Sequence, residues 1–460
     1  MRLPAIGWSR WCAVGCLVGT LSVAACTGDS DTSDSTGERA SPSPSRSGKA
    51  PSDPVPGGTV VFGVFGEPPT LDPYARRATD LTFALVRPLY PSLFRFDPDG
   101  TPVGYLAESI EHTRGGVRVR LADFEWSDGS PITARDVVAS VRRARLPSGF
   151  ARVRRARAAD RRTVLLRGGV DAWEAALATA AFVLPRGRAP RPGGRFGGPF
   201  VLAGHRAGLQ LVYEPNPRWT GTGPYLERVT VQFVSGLGFL LDLLERGDLD
   251  AAAPPSSVNL GDRLAARKIE HSEELGWESI TLHFRSSGLD AAGRRAFAAA
   301  VDRKAMAEGI VRDDGRISDT LHPGPGPAGA DGPFPRARGG SVDGRSVLLT
   351  GPGGDELLAL IQRIIHRHLT DAGGAVELAS AEPAAVYGGG RGDPGGIKVL
   401  RSAGVPGASD PPNATGPLAA YPLFHVKTVV AYRPGLNGIE VNPSIEGPLW
   451  NAEQWWLGAP

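Results

Sequence analysis

Cysteine is scarce and confined. The chain of 460 residues holds three, Cys12, Cys16 and Cys26, and no thiol follows residue 26. If Cys26 is consumed by a modification, no disulfide remains possible and stability rests on core packing. Long apolar runs are missing too: past one stretch near the start, nothing approaches the about 20 consecutive apolar residues of a spanning helix. Lysine is rare, so nearly all the basic charge is arginine, which with the many Ala, Gly and Pro points to a high-GC genome such as that of an actinobacterium. The eight histidines show no HExxH or comparable ligand spacing. His366 and His368 are two apart on a helix, do not share a face, and read as solvated side chains. No GxSxG elbow, phosphate loop or dinucleotide fingerprint occurs. We expect no metal and no cofactor; the missing motifs do not by themselves exclude an enzyme.

What is present begins with Arg2 and Arg10, then an apolar stretch of about 15 residues from Trp11 to Ala25 that ends in Ala24 and Ala25, the layout of a secretory signal. Val23-Ala24-Ala25-Cys26 resembles a bacterial lipobox. The resemblance implies that Cys26 carries acyl chains, becomes the first residue of the mature protein and anchors it to the outer face of the cell membrane, since more than one chain is what stable anchoring requires. The bland alternative is an ordinary signal with a chance cysteine. With Arg2 and Arg10 gone, 51 basic residues become 49 against 48 acidic ones, which argues against an electrostatic nucleic-acid binder. Residues 27–56 are rich in Ser, Asp, Thr, Gly and Pro and read as a disordered tether.

The remaining body of about 400 residues is long enough for two or three domains. "GGTVVFGVFG" (57–66) and "LQLVYEPN" (209–216) read as strands, whereas "FLLDLLERGDLD" (239–250), "RRAFAAAVDRKAMAEGIV" (294–311) and "DELLALIQRIIHRHLTDAG" (355–373) read as amphipathic helices. In the last, Leu357, Leu358, Ile361, Ile364, Ile365 and Leu369 form one stripe closed by Gly373-Gly374. Helices between strands predict an α/β fold. Residues 322–340 break every period and predict a loop. In "WSDGSPITARDVV" (126–138), Asp128-Gly129 predicts a tight turn, Thr133 a helix cap with Asp136 favouring the dipole, and Trp126 an apolar anchor. The run "RRARLPSGFARVRRARAADRR" (142–162) reads as a solvated face, with contact to anionic lipid headgroups as the alternative.

Several of these segments, in order, resemble the bacterial extracellular solute-binding proteins of family 5, which serve ABC transporters. The resemblance lies in "GGTVVFGVFGEPPTLDP" (57–73), "LYPSLFRFDPDGTPVGYLAES" (89–109), "FEWSDGSPITARDVVASVRRA" (124–144), "FGGPFVL" (196–202), "YEPNPRWTGTGPYLERVTVQF" (213–233), "LLERGDLDAA" (243–252), "RRAFAAAVDRKAM" (294–306) and "YPLFHVKTVVAYRPGLNGIEVNP" (421–443). It implies a two-lobed, periplasmic-binding-protein-like fold of type II with the ligand enclosed between the lobes. The expected organisation is a signal (1–25), a tether (26–56), lobe one (57–290, with an extra subdomain at about 90–195), a shortened lobe two (291–418) and a return to lobe one (419–460). Crossings are expected near 285–293 and 415–421. The implied ligand is a short peptide and the implied partners are permease subunits, with a monomeric receptor. The resemblance implies capture without covalent or enzymatic chemistry; the first rival is a relative that has lost its cleft and acts as a surface sensor or interaction module, the second a secreted hydrolase with an unrecognised site.

The family's peptide binders hold the ligand ammonium with an aspartate in lobe two, and "GASDPP" (407–412) nominates Asp410. Arg401, in the same stretch, is a candidate for a ligand carboxylate because Arg binds one bidentately. Phe62, Phe65 and Glu67 stand at the end of the first strand, where open α/β sheets place ligands.

Overall fold

The computed structural model describes residues 53–144, 149–170, 172–311, 315–317, 342, 344–388, 392–403 and 418–458. Ser52–Pro460 is one compact unit, separate from Met1–Pro51. All three apolar clusters and every sheet ladder of the described residues lie inside it, so it contains what its own folding requires.

Its backbone is an eleven-stranded sheet. From one edge the strands run Ala375–Ala381, Ser346–Pro352, Gly396–Ala403, Glu270–Ser286, Ala420–Tyr432, Ala251–Ala253, Thr59–Phe65, Arg228–Val234, Gln210–Pro215 and Phe200–Arg206, and Gly315–Ile317 pairs beside Ala420–Tyr432. Among the described residues four of its ladders are parallel, and the two longest place matching carboxyl ends together: Thr59–Phe65 with Arg228–Val234, and Ser346–Pro352 with Ala375–Ala381. The stripe read on residues 357–369 buries Leu357, Leu358, Ile361, Ile365 and Leu369 in helix Glu356–Asp371.

The longest strands serve more than one core. Glu270–Ser286 supplies Trp277 to a cluster around Val60, Phe62 and Val231, and then Ile280, Leu282 and Phe284 to a second around Leu349, Leu358 and Val399. Its antiparallel partner supplies Tyr421, Leu423, Phe424 and Val426 to the second, and Val429 and Ala431 to a third cluster under helix Leu237–Arg246. Between Leu275↔Lys427 and Ser279↔His425 the register slips, so Gly276, Trp277 and Glu278 bulge out of the ladder. A Cβ at Gly276 would lie 2.5 Å from Thr428 Oγ1, which is why the bulge starts on glycine. The freed Trp277 N–H donates to the Pro443 carbonyl at 2.8 Å. Bulges bend a strand and increase its twist. We therefore propose that the cores divide at 276–279 and 426–428, before the crossing at 285–293 and after the one at 415–421 expected from sequence, so that the second lobe is longer than 291–418.

A separate four-stranded antiparallel sheet runs Ala107–Thr113, Gly116–Leu121, Thr163–Gly168, Val153–Ala158. We assign it to the extra subdomain expected at about 90–195. Its inner residues Val117, Val119, Val164 and Leu166 join the first cluster, so the subdomain shares the core of lobe one. The segment read as structural behaves so: Ser130 N–H donates to Asp128 Oδ1 at 3.0 Å around Gly129 at φ +79°. Thr133 and Asp136 form a reciprocal capping box, and Trp126 is buried edge-on to Tyr90 at 6.4 Å.

Two buried carboxylates sit under the C-terminal return. Glu446 pairs with Arg87 (Nε to Oε2, 2.7 Å) with side-chain exposures of 0% and 4%. It also accepts the Phe96 N–H at 3.0 Å, while Arg87 lies 4.6 Å over the Phe182 ring. Burial pushes the Glu446 carboxyl up and the Arg87 guanidinium down, each opposed by the attraction of its partner. Glu453 is also buried; its nearest cation, Arg95, is 3.9 Å away, and burial pushes its carboxyl up to about 7. The folded state thus holds this proton more tightly than the unfolded chain, so the stabilisation is present below about pH 4.5 and is lost as pH rises through about 7. Glu453→Gln should therefore be more stable than wild type at pH 8, by on the order of 2 kcal/mol, with the difference vanishing near pH 5. Denaturant melts at the two pH values measure this, and a difference independent of pH would refute it.

Candidate functional site

The carboxyl ends of the two longest parallel ladders face one crevice. On one side it is lined by Phe65 at the end of Thr59–Phe65, by Gly236 and Leu237 at the start of a helix, and by Pro255–Ser257. On the other it is lined by Gly354–Leu357, where Ser346–Pro352 turns into helix Glu356–Asp371. This is where α/β sheets place ligands, since helices start and main-chain N–H groups are free there. The enclosed space is ≈ 30 Å³, room for about two water molecules.

Arg401 crosses the crevice beside this space. Its Nε donates to Asp355 Oδ2 at 2.6 Å and its Nη2 to Asp355 Oδ1 at 3.2 Å, a bidentate pair. Its Nη1 donates to Glu278 Oε1 at 2.6 Å and to Ser256 Oγ, and Nη2 also reaches the Ser256 carbonyl at 3.0 Å. Burial by itself would weaken the charge of this guanidinium; Glu278 and Asp355 outweigh it and hold the group above its ordinary value. Asp355 has a second task, since its Oδ1 accepts the Leu358 N–H at 3.0 Å and caps the helix. Tyr387 accepts the Arg401 N–H at 3.2 Å, and its own hydroxyl is pushed up chiefly by burial. Asp80, first residue of helix Asp80–Val86, is open to solvent on one side, yet surrounding protein and then Glu278 push its carboxyl up to about 6. Two carboxylates, Glu278 and Asp355, thus meet one arginine, with Glu356 in the crevice lining and Asp80 coupled to Glu278.

The sequence candidates separate here. Phe65 lines the crevice, and Arg401 spans it with every contact made to the protein's own groups. Phe62 does not reach it: the ring is fully buried and packs 5.4 Å from Trp455, because alternation along the strand turns it to the core. Glu67 accepts the Gly208 N–H at 2.9 Å and lies 3.4 Å from His205, tying down a hairpin. Asp410 and Cys26 lie outside the described residues. His366, read as solvated, instead bonds the Val376 carbonyl through Nε2 at 3.1 Å. Sequence reasoning missed Glu278, Ser256, Asp355 and Asp80. Only Asp355 had a signal, as an aspartate directly before an apolar helical run.

The model for bacterial extracellular solute-binding proteins, family 5 Middle, matches residues 101–344, more than half of the chain. The chain belongs to this family. Within it, protein XP55 of Streptomyces lividans is 29% identical over 310 residues, 60% of this chain and 53% of that protein. The oligopeptide-binding protein OppA of Mycobacterium tuberculosis is 26% identical over 272 residues, 52% of this chain and 45% of that protein. The chain thus spans about half the length of the curated relatives it matches. Among solved structures, the oligopeptide-binding protein AppA of Bacillus subtilis, in complex with a nonapeptide, is similar with a TM-score of 0.72 at 18% identity, over 88% of this chain and 100% of that one. At that identity the likeness speaks to fold: this family 5 member has the two-lobed α/β architecture of type II. No helix among the described residues is long and apolar enough to cross a membrane.

Proposed function

We propose that this family 5 protein is the lipid-anchored substrate-binding component of an ABC importer, capturing short peptides by lobe closure and passing them to a permease. The observation that carries this reading is the crevice itself, formed where the carboxyl ends of the two longest parallel ladders meet and lined from both cores. Its excess of carboxylates over the one arginine favours a ligand with a positive end, as the ammonium of a peptide provides. Asp410 is our candidate for the direct ammonium ligand, and Phe65 for a contact with the ligand's side chains. The oligopeptide binding named for OppA and AppA is consistent with this substrate class. Anchoring through Cys26 on the outer face of the cell membrane would keep a monomeric receptor beside its permease.

A second reading has its own support. The space beside Arg401 is ≈ 30 Å³ and the arginine is saturated by Asp355 and Glu278, which suits a relative whose cleft has become an internal ion-pair network and which acts as a sensor or interaction module. Native mass spectrometry of the Ser52–Pro460 unit, before and after exposure to peptide mixtures, separates the two. A defined peptide adduct, weakened by about 2–5 kcal/mol in Asp410→Ala through loss of the ammonium's partner, is the expected result. A mass that stays that of the bare chain with every mixture would establish the second reading.

A further inference from the structure

We infer that the outer face of the four-stranded sheet is a docking surface for an anionic lipid bilayer. The register assembles it. Arg155 lies directly opposite Arg167, and Arg157 opposite Leu165. Leu165 lies in turn opposite Arg118. Because their neighbours Val117, Val119, Val164 and Leu166 fill the core, Arg118, Arg155, Arg157 and Arg167 all stand on the solvent face, and all four are exposed. Arg118 has Glu111 at 3.3 Å. Among the described residues no carboxylate lies within ion-pair distance of Arg155, Arg157 or Arg167, so the face keeps a net positive charge even with Arg118 paired.

Such a face is costly, because like charges directly opposite on neighbouring strands destabilise the pair. Protection of a sheet edge is one reason to place charge there. It accounts for Arg155 and Arg157 on the outermost strand, but not for Arg167 and Arg118 on the two inner strands. General basicity fails as well, with 51 basic residues against 48 acidic in the whole chain. A flat lattice of phosphates fits instead: strands about 4.8 Å apart spread the four guanidinium groups over a patch of headgroup dimensions, where each is attracted to an anionic bilayer. The occupant follows from position. If Cys26 is the anchor and residues 27–56 the tether, that tether has a root-mean-square reach of about 30 Å, which keeps the folded body within reach of the bilayer surface. That last step rests on the anchor reading; the charge arrangement does not.

The test is co-sedimentation of the Ser52–Pro460 unit with phosphatidylcholine vesicles, with and without phosphatidylglycerol, at about 0.05 M and about 0.5 M salt. We expect binding to the anionic vesicles only, lost at high salt, and reduced at least tenfold (~10×) in the triple variant Arg155→Gln, Arg157→Gln, Arg167→Gln. The triple variant should melt no earlier than wild type, since repulsion is relieved; should it fail to fold, Arg167→Gln alone carries the test with a smaller loss. Arg228→Gln, on the other sheet, should bind as wild type. Equal binding to neutral vesicles, or unchanged binding by the arginine variants, overturns the proposal. Binding to polyphosphate or DNA without binding to vesicles overturns it too, and assigns the face to a soluble polyanion. The unit lacks Cys26, so these outcomes are independent of the anchor, which is read separately from the intact mass of membrane-extracted full chain.

Discussion

Arg401→Ala is expected to destabilise the protein by about 3 kcal/mol at pH 7, the low end for removing one member of a buried ion pair because the Glu278 side chain keeps 35% of its exposure. The loss comes from what remains: Asp355 and Glu278 face one another without a cation, with Asp80 already coupled to Glu278. These carboxyls should then titrate upward in the folded variant. A raised folded-state value gives stabilisation that is present at low pH and lost as pH rises, so the deficit of the variant should shrink on acidification from pH 7 toward pH 5. Urea denaturation across that range measures it. Arg401→Lys should recover only part of the loss, since an ammonium cannot reproduce the bidentate contact. A deficit that is constant with pH would show that packing, and not charge, is what Arg401 supplies.

Glu446→Ala should cost about 3–5 kcal/mol, because it strands the Arg87 guanidinium in the core with Ser92 Oγ as its remaining hydrogen-bond acceptor. The pair ties the end of the first helix to the C-terminal return, and through the Phe96 N–H also to the short strand Phe94–Phe96. The double variant Arg87→Leu, Glu446→Leu should lose less than Glu446→Ala alone, since replacing both members removes the desolvation cost along with the attraction. A double-mutant cycle by chemical denaturation decides this. A double variant that loses the sum of its single changes would mean that the two groups are not energetically paired.

These two ion pairs differ in how far the sequence could reveal them. Arg401 was nominated as a ligand group because a guanidinium binds a carboxylate bidentately. Its charge is instead taken up by Asp355, 46 residues away, and by Glu278, 123 residues away. Neither partner could be matched to it by spacing along the chain. Glu278 in particular sits where the register slips between Leu275 and Ser279, an irregularity set by the pairing of two distant strands. Arg87 and Glu446 are likewise unremarkable in sequence, one at the end of a helix and the other in a loop-rich tail.

Local features were legible because their causes are local. The capping box at Thr133, the turn at Asp128-Gly129 and the apolar stripe of helix Glu356–Asp371 each depend on residues within a few positions of one another, and each forms as read. Family membership was legible for the same reason, through short segments in a fixed order. Phe62 and Phe65 show the limit: alternation puts them on opposite faces of one strand, but which face is covered, by Trp455 from the far end of the chain, and which opens to the crevice is set by tertiary packing. The arginine face is a matter of register. The sequence determined that residues 142–162 would be basic and exposed, but the pairing of three strands decided that Arg118, Arg155, Arg157 and Arg167 share one surface, because contacts between strands are set by global packing and not by distance along the chain.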